Sequence, residues 1–199
     1  MSKVAIIDSG GANIASLLYA FDRLDTRAEL TTDADCIRSA SRVVLPGVGA
    51  ARDAMERLWG AGLVDVIRGL TQPVLGICLG MQLLCDASDE DDVECLGIIP
   101  GVAGRLPVAD DYPVPNMGWC QTHQIGHSEL LDGIEDGSYF YYLHSYAVPR
   151  TRNTLALARH ATEFSAVIGK GNFVGAQFHP ERSSAAGARL LQNFVDKGV

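Results

Sequence analysis

The sequence predicts an α/β protein with a doubly wound, mostly parallel sheet and a more antiparallel strand region in its C-terminal half. Three observations carry this prediction. Short runs rich in Val, Ile and Leu recur without polar alternation, as in strands covered on both faces. Amphipathic helical patterns separate them. Glycine-rich steps follow two of the runs, as strand-to-helix turns require.

The first strand is Val4 to Ile7, and the run is too short for the apolar core of a signal peptide. Asn13 to Leu24 follows as a helix, with Ile14, Leu17, Leu18, Phe21 and Leu24 spaced by three and four. Arg42 to Leu45 and Pro73 to Cys78 are the next strands. Ala50 to Leu58 and Leu63 to Leu70 are helical patterns between them. Asp110 to Pro115, with two prolines and two acids, is a surface loop. Ser138 to Val148 is an aromatic stretch. Leu155 to His160, Ser165 to Ile168 and Asn172 to Phe178 read as strands, with Gly169-Lys170-Gly171 as a hairpin turn. A last helix spans Ala185 to Val195, with Ser183 or Ser184 as N-cap and Leu190, Leu191 and Phe194 inward. Without repeats or polar linkers, residues 1–199 read as a single domain.

Composition narrows the function. Hydrophobic residues make up 47% and charged residues 20%, which supports a packed core. The net charge of −8 leaves no basic excess for a phosphate backbone, so nucleic acid is not an expected partner. No apolar run approaches the ~20 residues that span a bilayer. The 5 cysteines include no C-x-x-C pair, which argues against a disulfide framework or a cysteine-rich zinc site. A reduced, cytoplasmic chain without metal or cofactor is expected.

The sharpest local signal is Gly76-Ile-Cys78-Leu-Gly80 after an apolar strand and before a helical pattern. It is the cysteine counterpart of a nucleophile elbow: the glycines permit a sharp turn and close packing, and the helix N-terminus favours a thiolate. Cys85, two turns along the same helix, reads as core, and Cys36, Cys95 and Cys120 have no elbow around them. A thiol nucleophile needs a base with an orienting partner. His123 and His127 lie in a polar stretch without strand context, His160 ends a strand, and His144 sits in the aromatic run. His179 ends an apolar strand and precedes Pro180-Glu181. In extended chain, residues two apart face the same way, which would bring Glu181 onto one imidazole nitrogen while the other faces the thiol. Gly47 to Gly49 follow the Arg42 to Leu45 strand as neither a P-loop nor a dinucleotide fingerprint. An oxyanion hole is their most economical use.

With these pieces in place, the sequence resembles the class I (triad) glutamine amidotransferases. Within them it is most similar to the glutaminase subunits of imidazole glycerol phosphate synthases, which serve histidine biosynthesis. The similarity runs through residues 6–13, 45–49, 75–84, 116–119, 139–146 and 175–183, in order. It implies a flavodoxin-like glutaminase fold. It implies Cys78 as nucleophile, His179 as general acid/base, Glu181 as its orienting carboxylate, and the N–H groups of Val48 and Leu79 as oxyanion donors. Gly49, Gln82, Glu90, His144, Ser145 and Tyr146 fall where the family holds glutamine. Asn13, Trp119, Tyr141 and Arg182 fall where it meets a (βα)8-barrel synthase as a heterodimer. The implied chemistry is deamidation through a glutamyl thioester, the ammonia passing through the barrel to a ribotide acceptor. Its products are imidazole glycerol phosphate and aminoimidazole carboxamide ribotide.

Two stretches depart from the family pattern. Pro115-Asn116-Met-Gly-Trp119-Cys120 stands where Pro-His-Met-Gly-Trp-Asn is usual, and Ser88-Asp89-Glu90 where Ser-Glu-Glu is. The alternatives are the glutaminase component of anthranilate, pyridoxal phosphate or GMP synthesis, a stand-alone cysteine hydrolase, and an inactive binding protein. The subfamily stretches oppose the first, full activity without a partner would mark the second, and the intact triad opposes the third.

Overall fold

The structure is a computed structural model that describes residues 3–10 and 14–198. Its first half alternates β1 (Lys3–Ile7), α1 (Ile14–Asp22), β2 (Arg27–Thr31), α2 (Ala34–Ser39), β3 (Arg42–Leu45), α3 (Ala51–Gly60), α4 (Val64–Arg68), β4 (Val74–Ile77) and α5 (Leu79–Leu83). The second half is mostly strand: β5 (Ala87–Ser88), β6 (Val93–Glu94), β7 (Val102–Arg105), β8 (Asn116–Gln124), β9 (Ser138–His144), β10 (Tyr146–Ala147), β11 (Thr154–His160), β12 (Thr162–Lys170) and β13 (Phe173–Ala176), before α6 (Ser184–Asp196).

Among these residues a nine-stranded sheet runs in the order β2-β1-β3-β4-β13-β12-β11-β8-β9. The five strands from β2 to β13 pair in parallel. From β13 to β9 every pairing is antiparallel. A small second sheet, β10-β7-β5-β6, sits apart.

The parallel strands are apolar on both sides because both sides are covered. Ala5, Ile7, Val43, Leu45 and Val74 pack with residues of α2, α3 and α4, such as Ile37, Met55 and Ile67. Their neighbours Val4, Ile6, Val44, Leu75 and Ile77 pack with Leu17 and Phe21 of α1 and with Leu190, Leu191 and Phe194 of α6. Each such side chain fully removed from water contributes about 1.5–3 kcal/mol. Alternate residues of one strand thus feed two cores.

Several elements differ from the sequence expectation. β2 and α2 were not anticipated: β2 is an edge strand, half exposed, with Arg27 and Glu29 breaking its apolar run. His123 lies inside β8, whose alternation of buried and exposed residues hides its strand character in a window of mixed polarity. The β12–β13 turn is Gly171-Asn172, since Gly169 and Lys170 remain paired with Val174 and Phe173. α5 ends at Leu83, so Cys85 is not on the elbow helix, although it is fully buried as expected. Ser183 occupies the N-cap position of α6 but makes no side-chain cap there. Its hydroxyl instead donates to the His179 carbonyl at 2.6 Å.

Candidate active site

The site forms where β3, β4 and β13 end together. Their parallel register sets Leu45 beside Gly76 and Ala176 beside Ile77. The chain therefore leaves three adjacent strands at one edge of the sheet, through Pro46-Gly47-Val48-Gly49, Cys78 and His179. In open α/β sheets this edge is where ligands collect.

Cys78 adopts φ 53 and ψ −109, outside the regular regions open to a side-chain residue. Such strain costs of order 1–3 kcal/mol and persists only where neighbours over-determine it. Here the Cys78 N–H donates to Ala176 O at 2.8 Å, and the Cys78 carbonyl accepts from Met81 N at 3.1 Å. The flanking glycines are needed for space. A Cβ on Gly80 would lie 1.8 Å from Leu45 O, and one on Gly76 would lie 2.7 Å from Gly80 O.

His179 lines the same pocket as the thiol, as expected, while Cys78 Sγ lies 3.6 Å from Leu143 O. Its Nδ1 lies 3.0 Å from Glu181 Oε1, with both side chains buried. The route to that contact differs from the expectation. His179 is extended, but Pro180–Arg182 form one 3-10 turn, so Glu181 reaches back through a turn rather than by strand alternation. Burial opposes a charge on His179, yet hydrogen bonds to Cys78 and Glu181 and attraction to both raise its pKa to about 10. The imidazolium is thus the favoured form. α5, with five residues, supplies little of the helix dipole expected at the cysteine, and His179 is the stronger cationic partner.

A pocket of about 230 Å3 opens over the thiol. Val48, Leu79, Gly49, Gln82, Glu90, His144, Ser145 and Tyr146 all line it, together with Pro115 and Leu143. The structure thus gathers every oxyanion and glutamine-holding candidate around Cys78. Leu79 opens α5, where its N–H has no intrahelical acceptor. The Glu90 carboxylate accepts from Ala51 N at 3.0 Å, capping α3, and partial burial raises its pKa. Gln82 is buried and donates to Tyr146 O at 2.8 Å and to Gln177 Oε1 at 3.0 Å.

Gln177 escaped the sequence reading. Its side chain is fully buried, and its Nε2 donates to Cys78 Sγ at 3.8 Å. Its position two residues before His179, at the end of the same strand run, is the signal that could have found it.

His144 is held at both nitrogens. Nδ1 lies 2.9 Å from Tyr146 O, which can only accept, so Nδ1 carries the proton. The bare Nε2 then accepts from Asn116 Nδ2 at 3.1 Å. Burial lowers its pKa to about 4, keeping the ring neutral. Asn116, one of the departures from the family pattern, thus fixes the His144 tautomer, and its Oδ1 accepts from Cys120 Sγ at 3.6 Å. Burial pushes the Cys85 thiol up to about 12 and Cys95 to about 11, consistent with inert core positions.

Of the partner-facing candidates, Asn13 lies outside the described residues. The other three meet. The Arg182 guanidinium sits 4.7 Å from the centre of the Tyr141 ring, and Trp119 packs edge-on against Tyr141 at 6.1 Å. Trp119 is 51% exposed. Met117, Trp119, Tyr139 and Leu143 all project from β8 and β9 into solvent, an apolar face bordering the Cys78 pocket. Ser183 ties this face to the triad: it accepts from Tyr141 N at 2.9 Å and donates to His179 O.

Among the described residues no group of three or more His, Cys, Asp or Glu is arranged to hold a metal ion. None of their helices is long and apolar enough to cross a membrane.

The glutamine amidotransferase class-I family profile matches residues 5–197. The chain is 51% identical over 192 residues to imidazole glycerol phosphate synthase subunit HisH 2 of Legionella pneumophila (strain Lens), covering 96% of each. It is 48% identical over 196 residues to the HisH subunit of Xanthomonas axonopodis pv. citri (strain 306), covering 98% of each. The HisH subunit of Haemophilus influenzae (strain 86-028NP) is 47% identical over 197 residues, covering 99% of this chain and 98% of that one. Among solved structures, a glutamine amidotransferase superposes with a TM-score of 0.75 at 16% identity, covering 97% of each chain. Thermotoga maritima PurLQS superposes with a TM-score of 0.73 at 16% identity over 98% of each, a likeness of fold.

Proposed function

The chain belongs to the class I glutamine amidotransferases, and from that premise we propose that it is the glutaminase subunit of an imidazole glycerol phosphate synthase. In this role it hydrolyses glutamine in the cytoplasm and delivers the ammonia to a (βα)8 synthase partner. The observation that carries the reading is the connected Cys78-His179-Glu181 set at the base of a pocket lined by Gln82, Glu90, His144, Ser145 and Tyr146.

The chemistry follows from the geometry. The proton of Cys78 already rests on His179, which Glu181 holds by Nδ1, so the sulfur reacts as the thiolate of an ion pair. The sulfur attacks the side-chain carbonyl of glutamine, and the N–H groups of Val48 and Leu79 take the developing oxyanion. His179 returns the proton to the leaving nitrogen, which departs as ammonia and leaves a thioester on Cys78. His179 then takes a proton from water, the resulting hydroxide attacks the thioester, and glutamate leaves as the thiolate–imidazolium pair re-forms. Neutral His144, bonded at both nitrogens, shapes the pocket and is not the base. The apolar face around Trp119, Tyr141 and Arg182 is the docking surface for the synthase, since aromatic and Arg side chains dominate interface energetics.

Ammonia released without an acceptor wastes glutamine, so control belongs at the oxyanion turn. A flip of the Gly47–Val48 peptide exchanges an N–H for a carbonyl at the oxyanion position. Loss of one donor costs about 3 kcal/mol, or roughly a hundredfold in rate or more. Steady-state glutaminase kcat of the subunit alone, with its partner, and with partner plus ribotide ligand tests this. A rise of orders of magnitude along the series is expected. Equal values in all three would favour a stand-alone hydrolase.

A further inference from the structure

Glu181 uses one oxygen on His179, while its Oε2 is buried without a hydrogen-bond partner among the described residues. The side chain is only 5% exposed. A bare buried carboxylate oxygen is costly and calls for a donor. Beside it lies a second cavity of about 20 Å3, distinct from the pocket over the thiol. Its walls include Ile14, Leu17 and Ile77, apolar side chains with no donor to offer. A space of this size holds one water-sized molecule, given at least two polar partners.

The oxyanion turn separates the two spaces. Gly47 lines only the small cavity, Gly49 lines only the thiol pocket, and Val48 lines both. The N–H and C=O of a trans peptide point in opposite directions. When the Val48 N–H turns toward the thiol pocket, the Gly47 carbonyl turns toward the cavity.

We propose that this cavity is a binding site for one neutral hydrogen-bond donor with a single heavy atom, which bridges Glu181 Oε2 and the Gly47 carbonyl. Water and the ammonia released by the reaction share this chemistry. Bound there, the donor fixes the Glu181 carboxylate against His179 and holds the oxyanion turn with the Val48 N–H facing substrate. Glu181 thereby positions the oxyanion turn as well as the imidazole. The titratable and charged groups around Glu181 are His179 on its own turn, Cys78 at the head of α5, Arg23, which shares a surface groove with Glu181, and Arg57, whose side chain reaches Gly10 at the cavity wall.

The inference rests on the glutaminase reading for its kinetic consequence, but not for the site itself. A high-resolution crystal structure of the full chain decides the site directly. Density for one atom within hydrogen-bond distance of Glu181 Oε2 is expected, and its absence overturns the proposal. Ile14→Phe and Leu17→Phe, in complex with the synthase, fill the cavity without supplying a donor. Loss of the donor releases the oxyanion turn and should lower glutaminase kcat by about tenfold or more, with KM for glutamine little changed. An unchanged kcat in whichever variant folds also overturns the proposal. Ammonium titration of the wild-type complex at pH 9 identifies the occupant. Activation that disappears in Ile14→Phe assigns ammonia, and insensitivity assigns water. A wild-type complex without glutaminase activity would defeat the functional reading, while the density would still decide the site.

Discussion

At the scale of single residues, the two buried histidines of the pocket are tuned in opposite directions by their neighbours. His179 faces a thiol and a carboxylate and is held protonated. His144 meets a carbonyl and an amide and is held neutral, its pKa depressed to about 4 mainly by burial. The folded chain therefore refuses a proton at His144 that the unfolded chain accepts below about pH 6.5. Stability from this residue is present above that pH and is lost as pH falls toward 4, by roughly 3 kcal/mol. His144→Gln should flatten this part of the stability–pH curve measured by denaturant unfolding; an unchanged slope would mean that His144 is not buried neutral. The meeting of Cys78, His179 and Glu181 was legible in the sequence, because the elbow glycines and the His-Pro-Glu spacing are local signals. Gln177 was missed because its only local signal is the two-residue step to His179, while its contact with the Cys78 sulfur is made across the sheet.

At the scale of elements, the elbow depends on how closely β3, β4 and α5 approach. Gly80 sits where its missing side chain lets α5 rest against the Leu45 carbonyl. Gly80→Ala forces that backbone away and should cost about 3 kcal/mol, seen as a fall in the urea midpoint, with glutaminase kcat falling further as Cys78 shifts. A variant as stable and active as the parent would show that the close approach is not required. The parallel strands were legible because burial on both faces writes a continuous apolar run. β2 was not, because an edge strand tolerates Arg27 and Glu29, and β8 was not, because one of its faces is left to solvent. The Glu181 contact was foreseen but its route was not: proline at the first position of a 3-10 turn leaves the same sequence trace as proline after a strand.

At the scale of the molecule, one edge of the sheet gathers Cys78, His179 and Glu181, and the antiparallel extension β8–β9 carries an apolar face beside it. That face leaves Met117, Trp119 and Tyr139 exposed, and a contiguous exposed apolar patch marks an interaction site. Trp119→Ala and Arg182→Ala should each weaken binding to the synthase by tenfold or more in titration calorimetry, and lower activation of the glutaminase, while the Cys78-His179-Glu181 geometry stays intact. Unchanged affinity and activation in both variants would move the interface elsewhere. The central claim is that Cys78 produces ammonia used by a separate subunit. It is tested most directly by Cys78→Ala reconstituted with the synthase and assayed for ribotide conversion with glutamine and, in parallel, with ammonium salts. Glutamine-dependent synthesis should be abolished while ammonium-dependent synthesis persists at the wild-type rate; substantial glutamine-dependent synthesis by the folded variant would show that Cys78 is not the nucleophile.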